Sequence, residues 1–112
     1  MRSSFKYVLD EKEFPYNKNK LIKSIRFDIS RYGQYTRTIR FRQKTSVECA
    51  IKAAEKYLSK PMSDYWWNMI KDDVFNDKDR ERYQIRGDGV GDSKFLESID
   101  IYGDLAVIQT GS

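Results

Sequence analysis

The side chains in this sequence best suited to chemistry are arginines. Arg26, Arg37, Arg40 and Arg42 fall in one stretch, Lys18 to Lys44, in which nine residues are basic and Asp28 alone is acidic. A guanidinium keeps its charge at physiological pH and offers a planar fork that grips a carboxylate or a phosphate at two points. That chemistry is recognition of an anion, not bond making. Tyr32 and Tyr35 sit among these residues and would supply faces on which bases stack.

The usual catalytic side chains are missing. The chain has no histidine, which removes the commonest general base, the commonest zinc ligand and every Ser-His or Cys-His nucleophile pair. One cysteine cannot build a Cys-rich metal site, and neither a Gly-x-Ser-x-Gly nor a Walker pattern occurs. Among Asp88, Asp92, Glu97 and Asp100 no two have a reason to act together. The expectation is therefore a non-enzymatic chain with no catalytic residues, no metal and no cofactor.

Two further motifs invite functional readings. Gly87-Asp88-Gly89-Val90-Gly91-Asp92 lacks the Lys-Ser/Thr ending of a phosphate loop and the acidic series and closing glutamate of a calcium loop. It reads as a flexible connector with positive φ at its three glycines. Trp66 and Trp67, adjacent on a helix, point about 100° apart and read as core, with Tyr65 or one Trp as an alternative interface anchor.

The elements that carry these residues follow from periodicity. Ile25, Phe27 and Ile29 alternate with polar residues, as do Ile39 and Phe41, so both segments are half-buried strands. An odd-numbered turn around Gly33 places apolar residues opposite one another: Phe27 meets Ile39, and Ile25 meets Phe41. In that register Arg26 faces Arg40 directly, a like-charge pair unfavourable by a few tenths to roughly 1 kcal/mol. Asp28, diagonal to Arg40, relieves part of it.

Thr45-Ser46-Val47-Glu48 has the spacing of a capping box with Thr45 as cap. The helix it starts carries Val47, Ala50, Ile51, Ala54 and Leu58 on one stripe and stops before Pro61. Ser63 caps a second helix that runs to about Val74 or Phe75, with Trp66, Trp67, Ile70 and Val74 inward. A second hairpin follows, Phe95 to Ile101 and Leu105 to Gln109, with a three-residue turn setting Ile101 against Leu105 and Ile99 against Val107. Leu96 and Ile108 then fall on the face opposite Ile99. Phe5 to Leu9 alternates as an additional short strand. The sum is an α+β fold over 1–112 as one domain: an antiparallel sheet of four or five strands, order β-β-α-α-β-β, with two helices on one face.

Charge divides unevenly between the halves. Residues 1–60 hold 15 Lys/Arg against 6 Asp/Glu, and residues 61–112 hold 6 against 11. Opposite charge in two halves suits association with a protein, copies of this chain included. Asp72, Asp73, Asp77 and Asp79, at and beyond the end of the second helix, are the acidic candidates; Asp72 and Asp73 oppose the helix macrodipole unless a basic neighbour such as the hairpin offsets them. The apolar runs are too short for a membrane span of about 20 residues, and the first residues lack a secretion core. A lone Cys49, read as a small buried residue, fits a reducing compartment, cytoplasmic or nuclear.

Ten Ile, twelve Lys and eight Tyr against four Ala give the chain the texture of proteins from AT-rich genomes. In Tyr57-Leu58-Ser59-Lys60-Pro61 and Phe95-Leu96-Glu97-Ser98-Ile99 it resembles small uncharacterised proteins of large DNA viruses, a likeness that carries over no functional residue. The order of two strands, a helix and two strands also resembles a ubiquitin-type β-grasp. The second helix departs from it, and Thr110-Gly111-Ser112 lacks the conjugating diglycine. The expected role is a protein-interaction or assembly module presenting a basic β-hairpin to an acidic protein surface through Arg26, Arg37, Arg40, Arg42, Tyr32 and Tyr35. The alternative is sequence-tolerant binding of RNA or DNA through the same hairpin. A membrane partner is not expected.

Overall fold

The computed structural model describes residues 4–10, 12–31, 33–74 and 80–111. Its elements are β1 (Leu21–Asp28), β2 (Thr36–Ser46), α1 (Val47–Leu58), α2 (Asp64–Ile70), β3 (Phe95–Tyr102) and β4 (Leu105–Gly111). This is the α+β class in the β-β-α-α-β-β order that the sequence leads one to expect. The four strands form one sheet in the order β2-β1-β4-β3. Both hairpins are antiparallel, while β1 and β4 run parallel at the centre, so the sheet is mixed rather than antiparallel throughout. Parallel neighbours need a long crossover, and the two helices supply it. The segment from Phe5 to Leu9 contributes a single parallel bridge, Val8 to Phe95, on the outer side of β3.

α1 forms because five apolar residues recur at helical spacing, and all five are buried. They pack with Ile22, Ile25, Phe27 and Ile29 of the first hairpin in one core. Each large side chain so enclosed stabilises the fold by roughly 1.5–3 kcal/mol. The cap is Ser46, one residue later than the box suggests: its hydroxyl accepts from the Cys49 amide at 3.2 Å, while the Thr45 hydroxyl donates to the Gln43 carbonyl. Cys49 is exposed, because it falls off the buried stripe. Ser63 caps α2, as expected, through the Trp66 amide at 3.1 Å. That helix ends at Ile70 and tightens into a 3₁₀ turn over Lys71–Asp73, short of Val74. Phe75, Asp77 and Asp79 lie outside the described residues.

Turns, not strands, are where structure and sequence part. In the first hairpin Ile25 faces Ile39 and Phe27 faces Arg37, two residues from the expected register. The cause is a wider loop. The buried Ser30 hydroxyl accepts from the Tyr35 amide at 3.1 Å, Ile29 N–H donates to the Tyr35 carbonyl at 2.9 Å, and Gly33 turns the chain at φ 68°. The loop keeps an odd number of residues, so each side chain stays on its expected face. Arg26 now meets Thr38 and Arg40 meets Ser24, and the direct Arg26 to Arg40 opposition does not arise.

The second hairpin turns through Gly103 and Asp104 alone, so Ile99 faces Ile108 and Ile101 faces Ala106. A bulge between Leu96 and Ser98 then restores Leu96 to the helix side. Leu96, Ile99, Ala106 and Ile108 therefore share one face, and the hairpin is not covered on both sides.

The glycine-rich segment is packed rather than loose. Arg86–Val90 is a 3₁₀ turn whose Asp88 carboxylate accepts from the Gln84 and Ile85 amides at 2.8 and 2.9 Å. Only Gly91 there has positive φ. Gly87 is glycine for space, since a Cβ at that position would run into the Phe5 ring and its Cβ. Gly87→Ala is expected to cost about 1–3 kcal/mol of stability through overpacking, read as a lowered urea midpoint. An unchanged midpoint would mean that Phe5 does not seat there.

Candidate functional site

Alternation along the first hairpin decides what each arginine can reach. Two rows of paired residues cross the face of the sheet away from the helices: Thr38, Arg26, Val107 and Asp100, and then Arg40, Ser24, Leu105 and Tyr102. None of these eight is buried. Arg26 and Arg40 thus stand on an open face, with Arg26 Nε donating to the Thr38 hydroxyl at 3.4 Å.

Arg42 lies one step further, where β2 bulges. Ile22 pairs with Thr45 but Ser24 with Arg40, so Phe41 to Lys44 loop out from β1. Arg42, Gln43 and Lys44 are exposed there. The Lys23 ammonium donates to the Arg42 carbonyl at 3.0 Å and adds its charge to the same edge. Lys23 and Lys44 were readable as members of the basic run, but only the bulge brings them beside Arg42.

Arg37 is placed elsewhere. It shares the helix side with Ile39 and Phe41, where its guanidinium carbon lies 5.2 Å from the centre of the Trp66 ring and it donates to the Met69 sulfur at 3.6 Å. Arg86 stacks on the same cluster, 4.5 Å from Trp66 and 4.7 Å from Tyr57. Cations over aromatic rings stabilise by about 0.5–2 kcal/mol each, more when shielded from water. Arg86 reaches this place because Pro61 pairs with Ile85 and the Arg86 amide donates to the Lys60 carbonyl at 2.9 Å. No local signal in the sequence announces that return of the chain. Tyr35 is half-buried against the core, and Tyr32 lies outside the described residues.

The electrostatics leave the open arginines without internal neutralisation. Among the described residues, no carboxylate forms an ion pair with Arg26, Arg37, Arg40 or Arg42; the pairs present join Lys18 to Glu48, Arg31 to Asp92 and Arg80 to Asp64. Asp28 forms an ion pair with none of them among the described residues, and burial raises its carboxyl above its ordinary value. Asp73 is buried, and its Oδ2 has no hydrogen-bond partner among the described residues. The carboxylates Asp88, Asp92, Glu97 and Asp100 are scattered. Asp88 and Asp92 share a pocket with Lys6 and Lys94, Glu97 lines a cleft beside Phe14, and Asp100 is on the open face. Among the described residues no group of three or more His, Cys, Asp or Glu is placed to hold a metal ion, and no helix is long and apolar enough to cross a membrane.

Tyr7 carries the clearest pH dependence. Burial first, then the charges of Asp28 and Glu55, push its phenol well above the ordinary tyrosine range. The folded state therefore keeps Tyr7 neutral where the unfolded chain ionises. Its contribution is intact below about pH 10 and is lost as pH rises further, by about 1.4 kcal/mol per pH unit. Tyr7→Phe is expected to flatten that alkaline fall in denaturant midpoints, and an unaltered fall would place the cause elsewhere.

Fold and site together define a small α+β protein whose mixed sheet bears, on its open face and basic edge, arginines with no ion-pair partner among the described residues. Comparison with protein-family models, curated proteins and solved structures finds no match to this chain.

Proposed function

We propose that this chain is a non-enzymatic protein-interaction or assembly module that presents the β1–β2 hairpin to an acidic protein surface. One observation carries the reading: Arg26, Arg40 and Arg42 are exposed on one hairpin and none has an ion-pair partner among the described residues. Keeping fixed positive charge unneutralised stabilises nothing within the chain, whereas an acidic partner gains orientation and encounter rate from it. Arg40 and Arg42 are the main contacts in this reading, Arg26 supports them, and Arg37 is a structural residue that holds β2 against α2. A reducing compartment belongs to the same proposal, with the exposed Cys49 thiol unpaired.

Sequence-tolerant RNA or DNA binding is the second reading. Tyr102, exposed in the same row as Arg40, favours it as a base-stacking face. Against it, Tyr35 packs inward and Arg37 is committed to Trp66.

Light scattering after size exclusion separates the two, run at low and high salt with polyglutamate and, separately, with a random RNA oligonucleotide. The first reading expects a complex with polyglutamate that salt dissolves and little response to RNA. A complex with RNA alone, its affinity falling steeply with log salt as phosphate neutralisation requires, would reverse the ranking.

A further inference from the structure

We propose that the outer edge of β3 is the docking site for the basic β2 edge of a second copy of this chain, so that copies join head to tail and continue the sheet. The inference rests on the reading of β2 above and names its partner.

β3 ends the sheet, and only its beginning is covered. Val8 N–H donates to the Lys94 carbonyl at 2.9 Å and Leu96 N–H to the Val8 carbonyl at 2.8 Å; beyond Leu96 no strand lies outside it among the described residues. The exposed large apolar residues gather there. Of the seven among the described residues, five lie on β3 or on the N-terminal segment beside it: Val8, Phe14, Phe95, Ile101 and Tyr102. On the helix side a cleft of about 440 Å³ opens between Phe14, Val47, Ile99 and Ile101. An unpaired edge with apolar side chains and a neighbouring cleft is the geometry that accepts an added strand.

Charge selects the strand. Glu13 and Glu97 line the cleft and Asp100 stands on the open face, so a second β3 edge would set carboxylate against carboxylate and is disfavoured. The β2 edge carries Arg37, Arg40, Arg42 and Lys44 with no acidic residue. Basic residues on an edge protect it from its like, but not from an acidic edge.

Direction and side-chain order also agree. β2 opposes β1, β1 parallels β4, and β4 opposes β3, so β2 and β3 run the same way. A second copy in the same orientation then lays its β2 parallel to β3 with both helix layers on one side. Thr38-Ile39-Arg40-Phe41-Arg42 can lie beside Ser98-Ile99-Asp100-Ile101-Tyr102 residue for residue. Ile39 and Phe41 meet Ile99 and Ile101 over the cleft, while Arg40 meets Asp100 and Arg42 meets Tyr102 on the open face. Such an interface joins two different patches and does not close at two copies.

The test is light scattering of the full chain over a concentration series at low and high salt, with Arg40→Glu and Asp100→Lys. Wild type is expected to grow in mass beyond a dimer at low salt and to return to monomer at high salt. Each variant alone should associate at least tenfold more weakly, and an equimolar mixture should co-assemble because the reversed charges pair again. Recovery in the mixture also shows that both variants fold. A wild-type chain that stays monomeric, assembly indifferent to both reversals, or a mixture that does not recover would each overturn the proposal. A monomer that still binds polyglutamate through Arg40 and Arg42 would overturn only this inference, and one that binds neither would overturn the reading beneath it as well.

Discussion

Trp66→Ala is expected to lower the unfolding free energy by about 3–5 kcal/mol, the range for truncating a large buried aromatic. Trp66 is nearly enclosed and joins three parts of the fold. Its ring lies 5.8 Å from that of Tyr57 on α1, which in turn meets Phe27 of β1 at 5.7 Å. Arg37 of β2 and Arg86 of the glycine-rich turn stack on it. Truncation opens a cavity, leaves the Arg37 guanidinium without its ring and leaves Arg86 with Tyr57 alone, so the loss should reach the upper part of that range. A urea melt reads it directly, and a change below about 1 kcal/mol, typical of surface sites, would mean that Trp66 does not knit the helices to the sheet.

Arg40→Glu/Arg42→Glu is expected to weaken binding to an acidic polypeptide by about 30-fold or more, the equivalent of a hot-spot loss of about 2 kcal/mol. Stability should move by no more than about 0.5 kcal/mol, because both side chains are exposed. Arg37→Glu should give the opposite profile, with stability lost through the broken contacts to Trp66 and Met69 and a smaller change in binding. Titration followed by Trp fluorescence, beside urea melts of all three proteins, separates these outcomes. Equal binding losses for Arg37 and for the Arg40 and Arg42 pair would mean that charge in general, not the open edge, attracts the partner.

The contrast between those arginines shows what the sequence made legible. The period of two put Arg26 and Arg40 on one outward face, and that placement survives a register shifted by two residues, because an even shift preserves faces; Arg37, expected among the contacts, falls instead on the face of Ile39 and Phe41. The α1 stripe was equally legible, since a helix needs only local spacing. Turn length was not. The Ser30 hydroxyl lengthens one turn and the pair Gly103-Asp104 shortens the other, and a bulge at Glu97 compensates for the shortened one. These outcomes depend on contacts between segments that alternation does not see. Strand order was hidden for the same reason: pairing rules within each hairpin leave open which hairpin edge faces inward, and the crossover through α1 and α2 decides it. Of the candidate site, the charges were visible and their neighbours were not. Arg86, from the acidic half of the chain, joins Arg37 only because residues 84–86 fold back beside Lys60 and Met62.

The central claim, that the open basic edge of the first hairpin is a surface for an acidic protein, is tested most directly by a ¹⁵N-HSQC titration of the full chain with polyglutamate, set beside one with a random RNA oligonucleotide. The account predicts saturating shifts at Arg26 and across Thr38 to Lys44 with polyglutamate, abolished by Arg40→Glu/Arg42→Glu, and small unsaturated shifts with RNA. Absence of shifts on the hairpin with polyglutamate, or saturation there with RNA alone, would contradict it.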